Sequence, residues 1–461
     1  MDDSQTPHHL TGRPVAGTEH SWCSVVPGGT GITILLLRLS RPISLFSLPP
    51  LSPISSTPTP SSAPGSLEPT QTNTSSSPSL PFATPSSKPY PYLPVPPFLS
   101  ALDLELNRNP WTDTPEPNQI PVFFTTIYEN QPDPGPSLIV LRFHTSVCDR
   151  TAAVAILKEL MALLAGGGGG GEEGQSRNGE NGVNLGIEDL IPKKDSWKPF
   201  WARGKDLIGY SLNGLRTHCL SFQDTDSARS SEVVRLVVDQ DETNRILSAC
   251  KERGIKLFSV ITAAVLIATV SSKLLENNQA ETYSVVTLVD CRKYLEPPLH
   301  EHNVGFYHSA IMNTHTVHEG EDCWEVAKRC HNAFTNATNN KKHLTDIGEL
   351  NFLMCKASEN PQLTPASSLR TALISIWEDP VIYESFPAQE QLGVEDYIGC
   401  ASVHGVGPSI AVFDTIRDGQ LDCVFVYPSP LHSRRQMQDL VEHMKKLLVH
   451  EGQTETEEPG A

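Results

Sequence analysis

From Leu102 to Val449 the hydrophobic and polar positions fall into runs of two periods. "VFFTTIYE" and "SLIVLRFH", on either side of the turn "PDPGP", have the β-branched and aromatic density of strands. After Asp149 the period lengthens. Ala153, Ile156, Leu157, Leu160, Met161 and Leu164 recur every three or four residues, which predicts a helix with one apolar stripe. Six glycines, Gly166 to Gly171, stop that helix and open a polar loop reaching Gly186. The loop follows a helix and lacks the Lys-Ser/Thr pair of a phosphate cradle, so it reads as a flexible excursion.

Further along, "VVRLVVDQDETNRILSACKERGIKLFSVITAAVLIATVSSKLL" predicts a strand, a helix capped by Asp239 or Asp241 and stopped by Gly254, and a second helix. That second helix is apolar on every face from Val260 to Val270, so it should lie buried. "YSVVTLVDCRKYL" reads as a strand ending at Asp290 and Arg292, and "CWEVAKRCHNAF" as a helix with Trp324, Ala327 and Phe334 on one side. Two apolar runs flanking Asp418-Gly419 predict a hairpin, because that residue pair suits a tight turn. The closing helix gathers Met437, Leu440, Val441, Met444, Leu447 and Leu448 on one face. Strands and helices alternate irregularly, as in an α/β or α+β body with mixed sheets.

Composition changes this picture in one place. From Arg41 to Ser100 there are sixteen prolines and fifteen serines but only three charged residues, Arg41, Glu68 and Lys88. Proline at that density opposes helix and ladder alike, so residues 41–100 are expected to lack fixed structure. The 461 residues otherwise suffice for two domains or for one body of two similar halves.

Charge narrows the function classes. With 53 acidic against 35 basic residues the formal charge is −18, and no Lys/Arg-rich run gives the footprint of a nucleic-acid binder. The start "MDDSQTPHHLTG" is acidic and "ITILLLRL" is too short to span a bilayer, so a cytoplasmic protein with no membrane partner is expected. Ten cysteines lie scattered without C-x-x-C or paired Cys/His spacing, which predicts reduced thiols and no metal site.

Candidate chemistry concentrates in "LRFHTSVCDR", a strand running into a turn and a helix, and in the later "VDCRKYL". On these residues, and on the order of the pieces, the chain resembles the CoA-dependent acyltransferase superfamily. Its chloramphenicol acetyltransferase-like fold is shared by the condensation domains of peptide synthetases and the BAHD acyltransferases. The chain looks closest to plant condensation-domain-containing proteins. The resemblance covers roughly Arg13 to Leu39 and Leu102 to Val449. It implies two halves, each a mixed sheet with helices, around a central channel: residues 1–40 and 101–220 form the N-terminal half, 221–450 the C-terminal half, and 451–461 a disordered tail.

The superfamily's motif is His-His-x-x-x-Asp-Gly. Laid on "HTSVCDR", it puts His144 at the first His, Thr145 at the catalytic second His, Asp149 at the structural Asp and Arg150 at the Gly. Arg292 matches the Arg that pairs with that Asp. The general base is thus replaced by Thr145, which has no useful basicity near neutral pH. His144 is a candidate base, but neighbouring strand residues point to opposite faces. The bland alternative makes it a hydrogen-bonded core or loop residue. An Asp149–Arg292 ion pair would keep its architectural purpose even without chemistry. Arg150 adds bulk where the acyl-donor tunnel of the family runs.

Other candidates follow from the same resemblance. His302, His308, His404 and His432 could supply a base, and His404, Gly407 and Ser409 in "SVHGVGPS" could line the channel or merely shape a turn. Trp197, Phe200 and Trp201 are expected to pack the segment crossing between the halves, with substrate contact as the alternative. The implied function is acyl transfer from a CoA-type thioester to an alcohol or amine, by a monomer with no bound cofactor. Its competitor is a non-catalytic binding or interaction protein that keeps the fold. The family also places a helix where the Pro/Ser stretch stands, which suggests a reading-frame slip. Sequencing the transcript across Arg41 to Ser100 decides this, and an intact frame would sink the idea. Without that helix, apolar sheet surface would be left uncovered.

Overall fold

The computed structural model describes residues 13–41, 95–112, 121–129, 135–165, 185–273, 279–360 and 370–451. The glycine run, most of the Pro/Ser stretch and all but the first residue of the expected tail lie outside them. In chain order the strands are β1 (Thr30–Leu39), β2 (Phe123–Glu129), β3 (Ser137–His144), β4 (Ser230–Val238), β5 (Ala280–Asp290) and β6 (His308–His318), then β7 (Ile374–Trp377), β8 (Val381–Tyr383), β9 (Val394–Val403), β10 (Ile410–Arg417) and β11 (Gln420–Ser429). The helices begin with α1 (Gly17–Val25), α2 (Phe98–Leu106), α3 (Arg150–Leu164), α4 (Ile187–Leu190), α5 (Lys193–Ser196), α6 (Phe200–Arg216) and α7 (Gln240–Arg253). They continue with α8 (Leu257–Ser271), α9 (Cys323–Asn339), α10 (Lys342–Thr345), α11 (Ile347–Glu359), α12 (Pro387–Leu392) and α13 (Arg434–Glu451).

Local chemistry accounts for the main boundaries. Asp239 caps α7 by accepting from Glu242 N, and Gly254 ends it at φ 64°, a conformation costly for a residue with a Cβ. The β10–β11 hairpin turns at Asp418 and Gly419, both with positive φ, as the Asp-Gly pair allows. Helix α8 is buried from Leu257 to Val270 because the β4–β6 and β10–β11 sheet, α9 and α13 cover it, and this cluster is the core of the C-terminal half.

Two sheets result, ordered β2-β3-β1-β9 and β4-β11-β10-β7-β5-β6, with β8 beside β10. Strand β9 comes from the C-terminal half of the sequence yet pairs with β1, placing Cys400 opposite Ile34 and Ile398 opposite Leu36. The sequence division at about residue 220 is therefore not the division of the sheets.

Two expectations are corrected here. Helix α2 begins inside the stretch expected to lack structure: Pro97 sets its N-terminus, and Ala101, Leu102 and Leu106 recur at helical spacing and are fully buried. It packs on β1 and β4, so that part of the sheet is covered, and burying each leucine contributes about 1.5–3 kcal/mol. Trp197, Phe200 and Trp201 do not pack a crossing segment; all three are exposed, because α6, which Phe200 and Trp201 begin, docks through its polar side.

Candidate active site

The turn after β3 is built around Asp149. Its carboxylate caps α3 by accepting from Ala152 N at 2.9 Å, and accepts from Tyr307 N at 2.8 Å. Arg292, two residues past the end of β5, grips both oxygens, Nη2 reaching Oδ1 and Nη1 reaching Oδ2 at 2.9 Å each. His308, the first residue of β6, brings Nδ1 to 3.0 Å from Oδ2. Burial alone would push the Asp149 carboxyl up. His308 and Arg292 outweigh it and hold the group well below the usual carboxylate range. Asp149 N donates to Gly305 O and Arg292 Nη2 donates to Asn303 O, so the loop leading into β6 wraps the carboxylate.

A cavity of about 140 Å3 opens beside this cluster, between α3 on one side and β1, β9 and β10 on the other. Thr145, Asp149, Arg150 and His308 line it together with Trp22, Phe306, Trp377 and Phe413. Gly31 borders it at φ 85°, where β1 bulges against β9, and a Cβ there would come within 2.8 Å of the Trp22 ring. The walls are mainly apolar, with a few converging polar groups, the usual make-up of a small-molecule site.

His144 is not at this cavity. It shares a strand face with Leu138 and Val140, whereas Thr145 turns to the other side. The His144 ring stacks edge-on against Trp111 at 5.1 Å, and Ser146 Oγ lies 2.7 Å from its Nδ1. Burial lowers its pKa to about 4. Thr145 Oγ1 donates to Gly31 O at 2.5 Å and therefore accepts from Thr33 Oγ1 at 2.7 Å, which leaves its only proton engaged.

Arg150 crosses the cavity edge. Its Nη1 lies 3.2 Å from Asp414 Oδ1 on β10 and its guanidinium 4.9 Å from the Trp377 ring centroid. Burial lowers the Arg150 pKa and raises that of Asp414. Of the "SVHGVGPS" candidates, His404, Gly407 and Ser409 are not among the lining residues. His404 hydrogen-bonds Ser231 Oγ at 2.9 Å and packs on Gly29; burial first, and Arg370 second, lower its pKa to about 4. His302 is exposed, and His432 is fully buried beside Phe222.

Three residues outside the motif contribute. Trp22 comes from α1 and carries no sequence signal. Thr30 Oγ1 is buried on the cavity wall and has no hydrogen-bond partner among the described residues. Arg370 donates to the carbonyls of Val403, Gly405 and Pro408 and so fixes the turn after β9. Among the described residues no group of His, Cys, Asp and Glu is arranged to hold a metal ion. All ten cysteines are free.

This architecture is shared. The family model described as "Phthiocerol/phthiodiolone dimycocerosyl transferase C-terminus" matches residues 227–366. The solved polyketide synthase associated protein 5 from Mycobacterium tuberculosis is similar at TM-score 0.60 and 13% identity, covering 96% of this chain and 98% of that one. The trichothecene 15-O-acetyltransferase TRI3 from Fusarium sporotrichioides gives 0.64 and 12%, with 95% and 94% covered. The first condensation domain of the CDA synthetase gives 0.56 and 12%, with 96% of each chain covered. No curated protein matches the sequence.

These likenesses show the fold: a mixed α/β body of two sheets with helices, of the kind seen in the solved acetyltransferase and condensation-domain structures.

Proposed function

We propose that the protein transfers an acyl group from a CoA-type thioester to an alcohol or amine, with His308 as general base in place of the residue the motif lacks. The observation that carries this is the position of His308, on the cavity wall with Nδ1 at 3.0 Å from Asp149. The Asp149 carboxylate at Nδ1 orients the ring, which leaves Nε2 as the nitrogen to take the acceptor's proton. The acceptor's proton passes to Nε2 as its oxygen or nitrogen bonds to the thioester carbon. The C–S bond then breaks and the imidazolium returns a proton to the departing thiolate. Thr30 Oγ1, unpartnered on the same wall, is the donor we assign to the oxyanion. The names of the matching transferase family and of the solved 15-O-acetyltransferase point to the same reaction class.

Thiol release from a panel of CoA thioesters, each with alcohol and amine acceptors, tests the proposal on wild type and His308→Asn. Turnover in the wild type that falls about 100-fold or more in the variant supports it. Equal turnover in both removes His308 from the mechanism.

A second reading is a binding protein that keeps the fold. It is favoured by Arg150, whose side chain lines the cavity and is tied to Asp414 on β10 where the motif has a glycine. No thiol release from any thioester, with saturable binding of one of them, would favour this reading.

A further inference from the structure

Helix α6 is docked the wrong way round for a surface helix. Its polar side faces the body: Tyr210 donates to Asp346, and Lys198, just before the helix, bridges Asp346 and Asp206 at 2.7 Å each. Its apolar side faces outward. Trp201, Ile208 and Leu212 stand on one stripe at a spacing of seven and four residues, and are 73%, 61% and 43% exposed. Phe200 at 91% and Trp197 at 75% add two more exposed aromatic rings at and just before the start of the helix. Monomeric surfaces seldom leave so many large apolar side chains exposed within one short segment.

The charge around the patch is reversed relative to the rest of the chain. Residues 193–216 hold six basic and two acidic residues, a net +4 in a protein of −18. Both acids are already paired, Asp195 with Lys341 and Asp206 with Lys198. Lys193, Lys194, Arg203, Lys205 and Arg216 are exposed, and no ion pair among the described residues engages them. Lys205 lies within the stripe, four residues after Trp201. Aromatic rings flanked by free lysines and arginines form the combination that settles at an anionic lipid interface, rings among the acyl chains and cations at the headgroups.

We infer that α5 and α6 dock the protein on an anionic membrane surface, lying in the interface without crossing it. Among the described residues no single helix is long and apolar enough to span a bilayer. The inference departs from the expectation of no membrane partner, and it does not depend on the acyl-transfer reading. A second copy of the chain docking patch to patch is a poorer occupant, because the two facing patches would each carry the same +4.

Co-sedimentation of the full chain with vesicles tests it, using phosphatidylcholine alone and phosphatidylcholine with about a third phosphatidylserine. The expected result is binding to the serine-containing vesicles only, weakened by salt. Lys194→Glu with Lys205→Glu, and separately Phe200→Ser with Trp201→Ser, should each reduce that binding at least about tenfold. Unchanged thermal midpoints would show that these exposed substitutions leave the fold intact. No binding to either vesicle, or binding that both double variants retain, overturns the inference. So does a wild-type dimer that Phe200→Ser with Trp201→Ser makes monomeric, since the patch would then be a protein interface.

Discussion

The end of β3 and the start of β6 each bury an imidazole, and the two are opposite in kind. His144 sits on the far face of its strand, edge-on to Trp111, with a serine as its polar neighbour. His308 sits on the cavity wall against a carboxylate that Arg292 already grips. Burial is the same for both; the partner and the direction differ. A buried imidazole without a carboxylate is a packing element, whereas one held by a carboxylate at a cavity is equipped to move a proton.

The sharpest way to break this contrast is to exchange each ring for an amide. His308→Asn should lower thiol release about 100- to 10,000-fold, whereas His144→Asn should change it less than about threefold. Equal losses in steady-state rate would erase the distinction. Next in size is Asp149→Asn, which leaves Arg292 with less than its full counter-charge in a buried site. It should cost about 3–5 kcal/mol in urea unfolding while His308→Asn costs far less.

Acid separates the two further. The folded His144 pKa of about 4 lies below the ordinary histidine value of 6.5, so the unfolded chain binds the extra proton first. Stability from this group is therefore full above about 6.5 and lost as pH falls toward 4, by up to about 3 kcal/mol. His315, His343 and His404, each lowered to about 4 mainly by burial, add to the same slope. Urea midpoints measured from pH 7 to 4 should fall steadily, and His144→Asn should flatten that fall without removing it. At neutral pH the smallest effect is expected: His144→Asn should cost about 1–2 kcal/mol from the lost contacts with Ser146 and Trp111. A larger thermal-unfolding penalty would mean the ring is more than a core contact.

Much of the framework was legible because it is written in local periodicity. Helices α3, α8 and α13 and the Asp418-Gly419 hairpin follow from residues within one or two turns of each other. The strand alternation also foretold that His144 and Thr145 would face apart. What could not be read were long-range placements. His308 follows a loop that carries no motif, and only the folding of that loop around Asp149 sets it on the cavity. Helix α2 was hidden because proline density masked the short apolar period that begins at Phe98. The outward side of α6 was misread because aromatic clustering normally signals burial, and the docking of its polar side depends on Asp346, far away in sequence.

The place of β9 beside β1 bears on how the molecule is made. Ile32 N donates to Ser402 Oγ across 370 positions of chain, and the first sheet is one strand short until β9 arrives. A ribosome that has released the whole N-terminal half still holds it unfinished, with one flank of β1 bare until the chain has been made past Val403. Pairing at such separation is slow, and an open flank is the kind of surface chaperones attend to. Truncation before Val394 should therefore yield an insoluble fragment rather than a working half, and supplying residues 394–451 on a separate chain would be the way to rescue it.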